Sequence, residues 1–83
     1  MPYEVVWTRR AQRSLSSLDK VAVSRIIRKV EEIRDSPHLF LDRLVSVKIW
    51  KLRVGDYRVF IDLDEAGKKL YVIDLGHRKK VYK

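Results

Sequence analysis

The chain has 83 residues, of which 46% are hydrophobic and 36% are charged, and it carries a formal net charge of +8 at neutral pH. This length predicts a single domain over residues 1–83, and the lack of cysteine excludes disulfides, zinc–thiolate sites and a cysteine nucleophile. No apolar run approaches the roughly 18 residues of a membrane span, and the N-terminus does not resemble a signal peptide, so we expect a cytoplasmic protein that contacts no membrane.

The first half of the chain has the pattern of one strand followed by two helices. The run from Tyr3 to Trp7 is rich in aromatic and β-branched residues, which is typical of a strand. Thr8 and Asp19 each precede apolar residues spaced three or four apart, which predicts two amphipathic helices with these residues as N-caps. Pro37 predicts the end of the second helix, because the residue before a proline is disfavoured in the α region.

The second half has a hydrophobic period of two and contains three predicted strands. They run from Val47 to Val54, from Tyr57 to Leu63 and from Leu70 to Leu75. Strands joined by such short turns are antiparallel neighbours. The sequence therefore predicts an α+β fold of order β-α-α-β-β-β, in which both helices pack on one face of a small antiparallel sheet. The position of the first strand in this sheet is left open.

Alternation along two of these strands gathers cations on the face away from the helices. Lys51 and Arg53 flank the apolar Leu52, and Arg58 precedes the apolar Val59. Like charges on neighbouring strands destabilise a sheet, so this cluster indicates an anionic ligand. A solvated charge pattern that keeps the sheet soluble is the alternative.

The charge excess favours a polyanionic partner, with a merely solvated basic surface as the alternative. From Gly76 onward the chain carries basic charges and no acid. No glycine-rich phosphate loop, His-Glu metal motif or Ser-His-Asp set is present, and the acidic residues are scattered. An enzyme of this composition that acts on RNA would use cations, with no metal and no other cofactor. His38 is more typical of a structural or solvated histidine than of a catalytic one.

Two C-terminal segments resemble a known superfamily. They read KLRVGDYRVFI, from Lys51 to Ile61, and VIDLGHRKKVY, from Val72 to Tyr82. Both are similar to the RelE/ParE superfamily of toxin–antitoxin toxins, while the first half of the chain agrees with that superfamily in pattern only. The resemblance implies a RelE-like fold.

RelE-type members of this superfamily are ribosome-dependent endoribonucleases that cut mRNA in the ribosomal A site. The resemblance therefore implies a metal-independent mRNA interferase that acts on mRNA in the ribosome. It also implies a cognate antitoxin that holds the toxin inactive, in a complex that could be a heterotetramer. ParE-type members share the fold, inhibit DNA gyrase and usually lack the basic catalytic set, so a non-catalytic gyrase inhibitor is the main alternative. An RNA-binding module without catalysis is the third.

Cleavage of RNA without a metal uses the 2′-hydroxyl as nucleophile on the adjacent phosphorus. For this reaction the resemblance implies four catalytic residues, which are Lys51, Arg58, Arg78 and Tyr82. Lys51 would accept the proton, Arg58 would stabilise the phosphorane, and Arg78 would stabilise charge near the leaving oxygen. Tyr82 would stack on a base or orient the 2′-hydroxyl, with packing on the sheet as the alternative.

Further residues are expected to contact the RNA substrate, and these are Lys48, Arg53, His77, Lys79 and Lys80. A solvated charge is the alternative for the two tail lysines, and an ordinary turn histidine is the alternative for His77. Ile49 departs from the superfamily pattern, because ribosome-dependent members often have a second lysine at this position. Lys48 is adjacent, but an offset of one residue directs it to the other face of a strand unless a bulge rotates it.

Overall fold

The fold consists of two helices and a five-stranded sheet, as given by a computed structural model that describes residues 2–44 and 47–77. The elements in chain order are β1 (Glu4–Trp7), α1 (Arg9–Ser16), α2 (Lys20–Ile33), a 3-10 helix (Pro37–Leu39), β2 (Asp42–Arg43), β3 (Trp50–Val54), β4 (Tyr57–Asp64) and β5 (Lys69–His77). In the part of the chain so described, no helix combines the length and apolarity needed to cross a membrane.

The sheet has the order β1-β5-β4-β3-β2. β3, β4 and β5 are antiparallel neighbours, which confirms the predicted meander. β1 pairs in parallel with β5, with Val5 opposite Leu70, so the strand that the sequence left unplaced closes one edge. The two-residue β2 pairs with β3 and forms the other edge. The α+β class is confirmed, and the sheet is mixed because α1 and α2 carry the chain back to a parallel edge.

Both predicted helix caps are present. The Thr8 hydroxyl accepts a hydrogen bond from the backbone N–H of Ala11 at 3.2 Å, and the Asp19 carboxylate accepts one from Ala22 at 2.8 Å. Each cap satisfies a backbone donor that has no partner within its helix, which is worth about 1 kcal/mol. The second helix ends at Ile33, before the proline that was predicted to stop it.

The core lies between α2 and one face of the sheet. Ile26, Val30 and Ile33 of α2 are fully buried at spacings of four and three, as one helical face requires. The buried residues of the sheet that belong to the same core are Leu52, Val54, Val59, Ile61, Leu70, Val72 and Leu75. Each large aliphatic side chain buried in this way contributes about 1.5–3 kcal/mol. The helices thus cover one side of the sheet, and the side chains that alternate with the core point to the other.

Candidate functional site

Three cations share the face of β3 and β4 that points away from the core. Arg53 and Arg58 are directly opposite each other in the β3–β4 register. Lys51 lies two residues before Arg53, with Phe60 opposite it on β4 and Asp42 opposite it on β2. Directly opposite residues in an antiparallel pair have Cβ atoms about 4.5–5.5 Å apart, so the two arginines are neighbours. The register therefore brings together the cations that alternation had placed on one side.

Arg58 differs from its neighbours in burial. Its residue is 8% exposed, and it is the one polar or charged residue classed as buried among residues 2–44 and 47–77, whereas Arg53 is exposed. On the β5 side Arg58 is opposite Gly76, which adds no side chain to this face. A guanidinium stays charged when buried, and it interacts more strongly with an anion there than in bulk water. Arg58 is therefore the residue of this face that is best suited to hold a phosphate.

An acidic residue close in register to Arg58 is held by α1. Asp74 is opposite Phe60 in the β4–β5 register. Its Oδ1 accepts a hydrogen bond from the Ser14 hydroxyl at 2.6 Å, and its Oδ2 lies 3.0 Å from Nε of Arg10. These contacts fix the carboxylate of Asp74 against the first helix.

His77 lies beside this face and not on it. It is opposite Tyr57, one residue away from the Arg58–Gly76 pair, and consecutive strand residues point to opposite sides. The rings of Tyr57 and His77 meet edge to face, with centroids 5.7 Å apart. The register therefore assigns His77 to the side of the sheet that carries Tyr57, and its contact with RNA stays a prediction.

Lys48 lies at the other end of the β3–β4 hairpin. It precedes β3, far along the strands from the turn that follows Arg53. It lines a cavity of about 260 Å³ whose other lining residues are Arg43, Trp50, Asp62, Leu63 and Glu65. The structure thus separates Lys48 from the Arg53–Arg58 pair. Ile49 is half-buried, and its carbonyl accepts a hydrogen bond from the backbone N–H of Leu44 at 3.0 Å.

Four predicted site residues lie outside the described residues, and these are Arg78, Lys79, Lys80 and Tyr82. Their assignments remain those that the resemblance implies. The site that the structure presents is accordingly the cation face, which we define as Lys51, Arg53 and Arg58.

Comparison with protein families shows to which family the chain belongs. The model of a family described as the ParE toxin of type II toxin–antitoxin systems matches residues 5–82. The chain belongs to this toxin family. The match extends the predicted superfamily resemblance from the C-terminal segments to nearly the whole sequence. No curated protein matches the chain.

Solved structures of both branches of the RelE/ParE superfamily share the fold of this toxin. The RelBE2 toxin–antitoxin complex of Mycobacterium tuberculosis aligns with a TM-score of 0.88 at 21% identity, covering 94% of this chain and 100% of that one. A mutant of the E. coli toxin RelE aligns with a TM-score of 0.81 at 23% identity, covering 99% and 92%. The chromosomal ParDE system of P. aeruginosa aligns with a TM-score of 0.74 at 16% identity, covering 90% and 95%. Because the branches share one fold, the side chains of the site must distinguish their activities.

The toxin also contains a polar cluster that the sequence did not predict. Nε2 of His38 lies 2.9 Å from Oε2 of Glu65, and the other carboxylate oxygen accepts a hydrogen bond from the Tyr3 hydroxyl. The His38 ring meets Trp50 edge to face, with centroids 5.1 Å apart. These contacts join the start of the chain, the 3-10 helix and the β4–β5 turn. They agree with the structural role that was predicted for His38.

Hydrogen bonding in this cluster shifts two titration equilibria. The hydrogen bond from Tyr3 is the main cause that lowers the pKa of Glu65, and the charge of His38 adds to it. The same hydrogen bond raises the pKa of Tyr3, because the hydroxyl must keep its proton in order to donate it. Tyr3 and Glu65 are 62 residues apart in sequence, so no local pattern signals their pairing.

Proposed function

We propose that this toxin is a ribosome-dependent endoribonuclease that cleaves mRNA in the ribosomal A site, as RelE-type toxins do. The observation that carries the proposal is the burial of Arg58 directly opposite a second arginine, on the side of β3 and β4 that points away from the core. A buried guanidinium interacts more strongly with a phosphate than an exposed one does, because less water screens the charges. A protein that only inhibits another protein has no evident need for this arrangement.

The cation face supports a metal-independent reaction. The 2′-hydroxyl oxygen attacks the adjacent phosphorus, the bond from phosphorus to the 5′-oxygen breaks, and the 5′-oxygen takes a proton from water. The products are a cyclic phosphate and a 5′-hydroxyl end. Lys51 is assigned to remove the proton of the 2′-hydroxyl, because it is the lysine on this face. Arg58 is assigned to the non-bridging oxygens, where charge builds up as the phosphorane forms. Its planar fork can hold two of these oxygens at once.

The remaining roles follow the resemblance. Arg78 is assigned to stabilise the leaving 5′-oxygen, and Tyr82 to orient the 2′-hydroxyl or stack on a base. Arg53 lies beside Arg58 and is assigned to the adjacent phosphate of the mRNA. With Ile49 two residues before it, Lys51 is the one lysine of β3.

We further propose that a cognate antitoxin neutralises the toxin. Several similar structures are complexes of a RelE toxin with a RelB antitoxin. An apolar groove of about 540 Å³ runs between α1 and α2 in this chain, lined by Leu15, Leu18 and Val23 among others. An amphipathic antitoxin helix fits such a groove, and acidic residues on that antitoxin would complement the net charge of +8.

Toeprinting on translating ribosomes tests the nuclease proposal. We expect wild type to cut mRNA in the A site and Arg58→Ala to cut about 100- to 1,000-fold more slowly, because it lacks a group that stabilises the transition state. Arg13→Ala is the matched control, since Arg13 is an exposed arginine on α1. Thermal unfolding of each variant shows whether the protein still folds.

A gyrase assay tests the second candidate function, which the match to the ParE toxin model favours. If wild type leaves mRNA intact on ribosomes and stalls DNA gyrase instead, the toxin acts as a ParE-type inhibitor. Cleavage that is equal in wild type and Arg58→Ala would instead show that the active site lies elsewhere.

A further inference from the structure

A second group of cations lies where α2 meets the turn between β3 and β4. Arg25, Arg28, Lys29 and Arg53 line a cavity of about 360 Å³, whose other lining residues are Glu32, Val54 and Gly55. We call this cavity the turn notch. Three of its four cations come from α2 and none of them has been assigned a role above.

The helical period of α2 brings the cations of the turn notch onto one face of the helix. Arg25, Arg28 and Lys29 are spaced three and four apart, so they share one face of α2, while Ile26 and Val30 face the core. The turn contributes Gly55, whose φ is +58°. Nη2 of Arg25 lies 2.8 Å from the point that a Cβ on Gly55 would occupy. The guanidinium can approach the turn this closely because the glycine has no side chain.

The charges of the notch are poorly balanced. Within residues 2–44 and 47–77, the ion pairs shorter than 4.0 Å are Arg10–Asp74, Arg34–Glu31 and His38–Glu65, which leaves out every arginine of the notch. Glu32 is the one carboxylate among the lining residues. Nζ of Lys29 lies 5.1 Å from the centroid of the Phe40 ring. The notch thus holds four cations against one acid, and neighbouring like charges on a helix are destabilising.

Arg53 connects the notch to the cation face. It lines the notch and is also directly opposite Arg58. The basic surface therefore continues from α2, around the end of the hairpin, to the buried guanidinium. A phosphodiester chain carries its charges at regular intervals and can contact both places, which a single carboxylate cannot do. Guanidinium forks also match phosphate oxygens in pairs, and such contacts position a nucleic acid without reading its sequence.

We propose that the turn notch binds a backbone phosphate of RNA, on the stretch of strand next to the phosphate held by Arg58. The inference rests on the proposed function, because that function supplies the RNA. It adds a positioning site that lies outside the catalytic residues. Arg25 and Arg28 would hold the RNA backbone, and Arg53 would lie between the two phosphates.

Binding to an RNA that cannot be cleaved tests the notch. The probe is a single-stranded 2′-O-methyl oligonucleotide, which lacks the nucleophile, and the measurement is fluorescence anisotropy of the full-length chain over a range of salt. The double variant Arg25→Gln/Arg28→Gln is compared with Arg9→Gln/Arg13→Gln. Both remove two positive charges from exposed helical arginines. Thermal unfolding confirms that each variant is folded.

We expect the notch variant to bind the RNA about tenfold more weakly than wild type. The slope of its log–log salt dependence should fall by about 0.7, since the notch holds one phosphate and each phosphate contact on a single strand contributes about 0.7. The control variant should lose less than about threefold. Equal losses in the two variants would overturn the proposal, because they indicate a diffuse basic surface.

Two further results distinguish the notch from its alternatives. If the notch variant binds RNA normally but loses affinity for a polyglutamate peptide, the notch is a protein-docking site and the proposal is wrong. If the notch variant binds RNA weakly while wild type cleaves no mRNA on ribosomes, the notch is supported and the nuclease proposal fails. The two ideas can therefore fail separately.

Discussion

The two ends of the β3–β4 hairpin differ in how their charged side chains are arranged. At the end that carries the β4–β5 turn, Glu65 is held by Tyr3 and His38. At the other end, Arg53 is opposite Arg58 and also shares the turn notch with the arginines of α2. The charges at the first end are paired, whereas the second end has more cations than acids.

This difference indicates that the Glu65 end of the hairpin stabilises the fold and that the arginine end binds a ligand. Hydrogen bonds and an ion pair at the Glu65 end connect segments that are distant in sequence, which is what a structural polar cluster does. Repulsion at the arginine end opposes folding, and it persists in a protein of marginal stability only where something else favours it. An anionic ligand is the simplest such reason. Changes at the two ends should therefore have opposite effects on activity and stability.

After Arg58→Ala, the largest expected effect comes from Arg58→Lys. The lysine keeps the positive charge but removes the planar fork, so it loses a charge-assisted hydrogen bond worth about 1.5–3 kcal/mol. We expect cleavage to slow by about 10- to 100-fold, since each 1.36 kcal/mol of the barrier is worth about tenfold in rate. Single-turnover cleavage on programmed ribosomes measures it. A variant as fast as wild type would show that charge alone suffices at this position.

A change at the Glu65 end of the hairpin should lower the stability of the protein and leave its activity unchanged. Glu65→Gln replaces the carboxylate that accepts from Tyr3 and pairs with His38. We expect a loss of about 0.5–1 kcal/mol in the free energy of unfolding, at the low end for hydrogen bonds because Glu65 is exposed to solvent. Urea unfolding gives this value, and Glu4→Gln is the control at another exposed glutamate. Slower cleavage by a fully folded Glu65→Gln protein would contradict a purely structural role for this end of the hairpin.

The same carboxylate makes stability depend on pH. Because folding lowers the pKa of Glu65, its contribution is complete above the unfolded pKa of about 4.3 and is lost as the pH falls through the folded value. Folding raises the pKa of Tyr3, so its contribution is present below about pH 10 and is lost as the pH rises further. Wild type should therefore lose more stability than Glu65→Gln at both extremes. Parallel pH profiles of the two proteins would show that the cluster does not couple to folding.

Local patterns predicted the helices, the meander and the cation face. Helix caps and hydrophobic periods depend on residues within a few positions of one another, and both caps are where the sequence placed them. The facing of Lys51, Arg53 and Arg58 needed only the alternation along two strands joined by a tight turn. The shared face of these three cations was predictable for this reason.

Features that depend on distant residues were not predictable. The parallel docking of β1 on β5 joins residues 65 positions apart, such as Val5 and Leu70. A register shift follows Phe60, because Asp74 is opposite Phe60 while Val72 is opposite Ile61, and no turn residue announces it. The burial of Arg58 was not predicted either. Alternation along β4 predicts on which side of the sheet the Arg58 side chain lies, but it does not predict how far that side chain is buried.

The smallest expected effect is a change in stability. It is measured by comparing the loss of two arginines of the turn notch with the loss of Arg34, which forms an ion pair. Arg25→Gln/Arg28→Gln should raise the free energy of unfolding by a few tenths of a kcal/mol at low salt, because it relieves like-charge repulsion. This gain should vanish in 1 M salt, where charges are screened beyond about 3 Å. Arg34→Gln should lower stability instead, since Arg34 pairs with Glu31 at 3.0 Å and donates to the carbonyl of Tyr3. If the notch variant is also less stable at low salt, its arginines support the fold, and repulsion cannot be used as a sign of a ligand there.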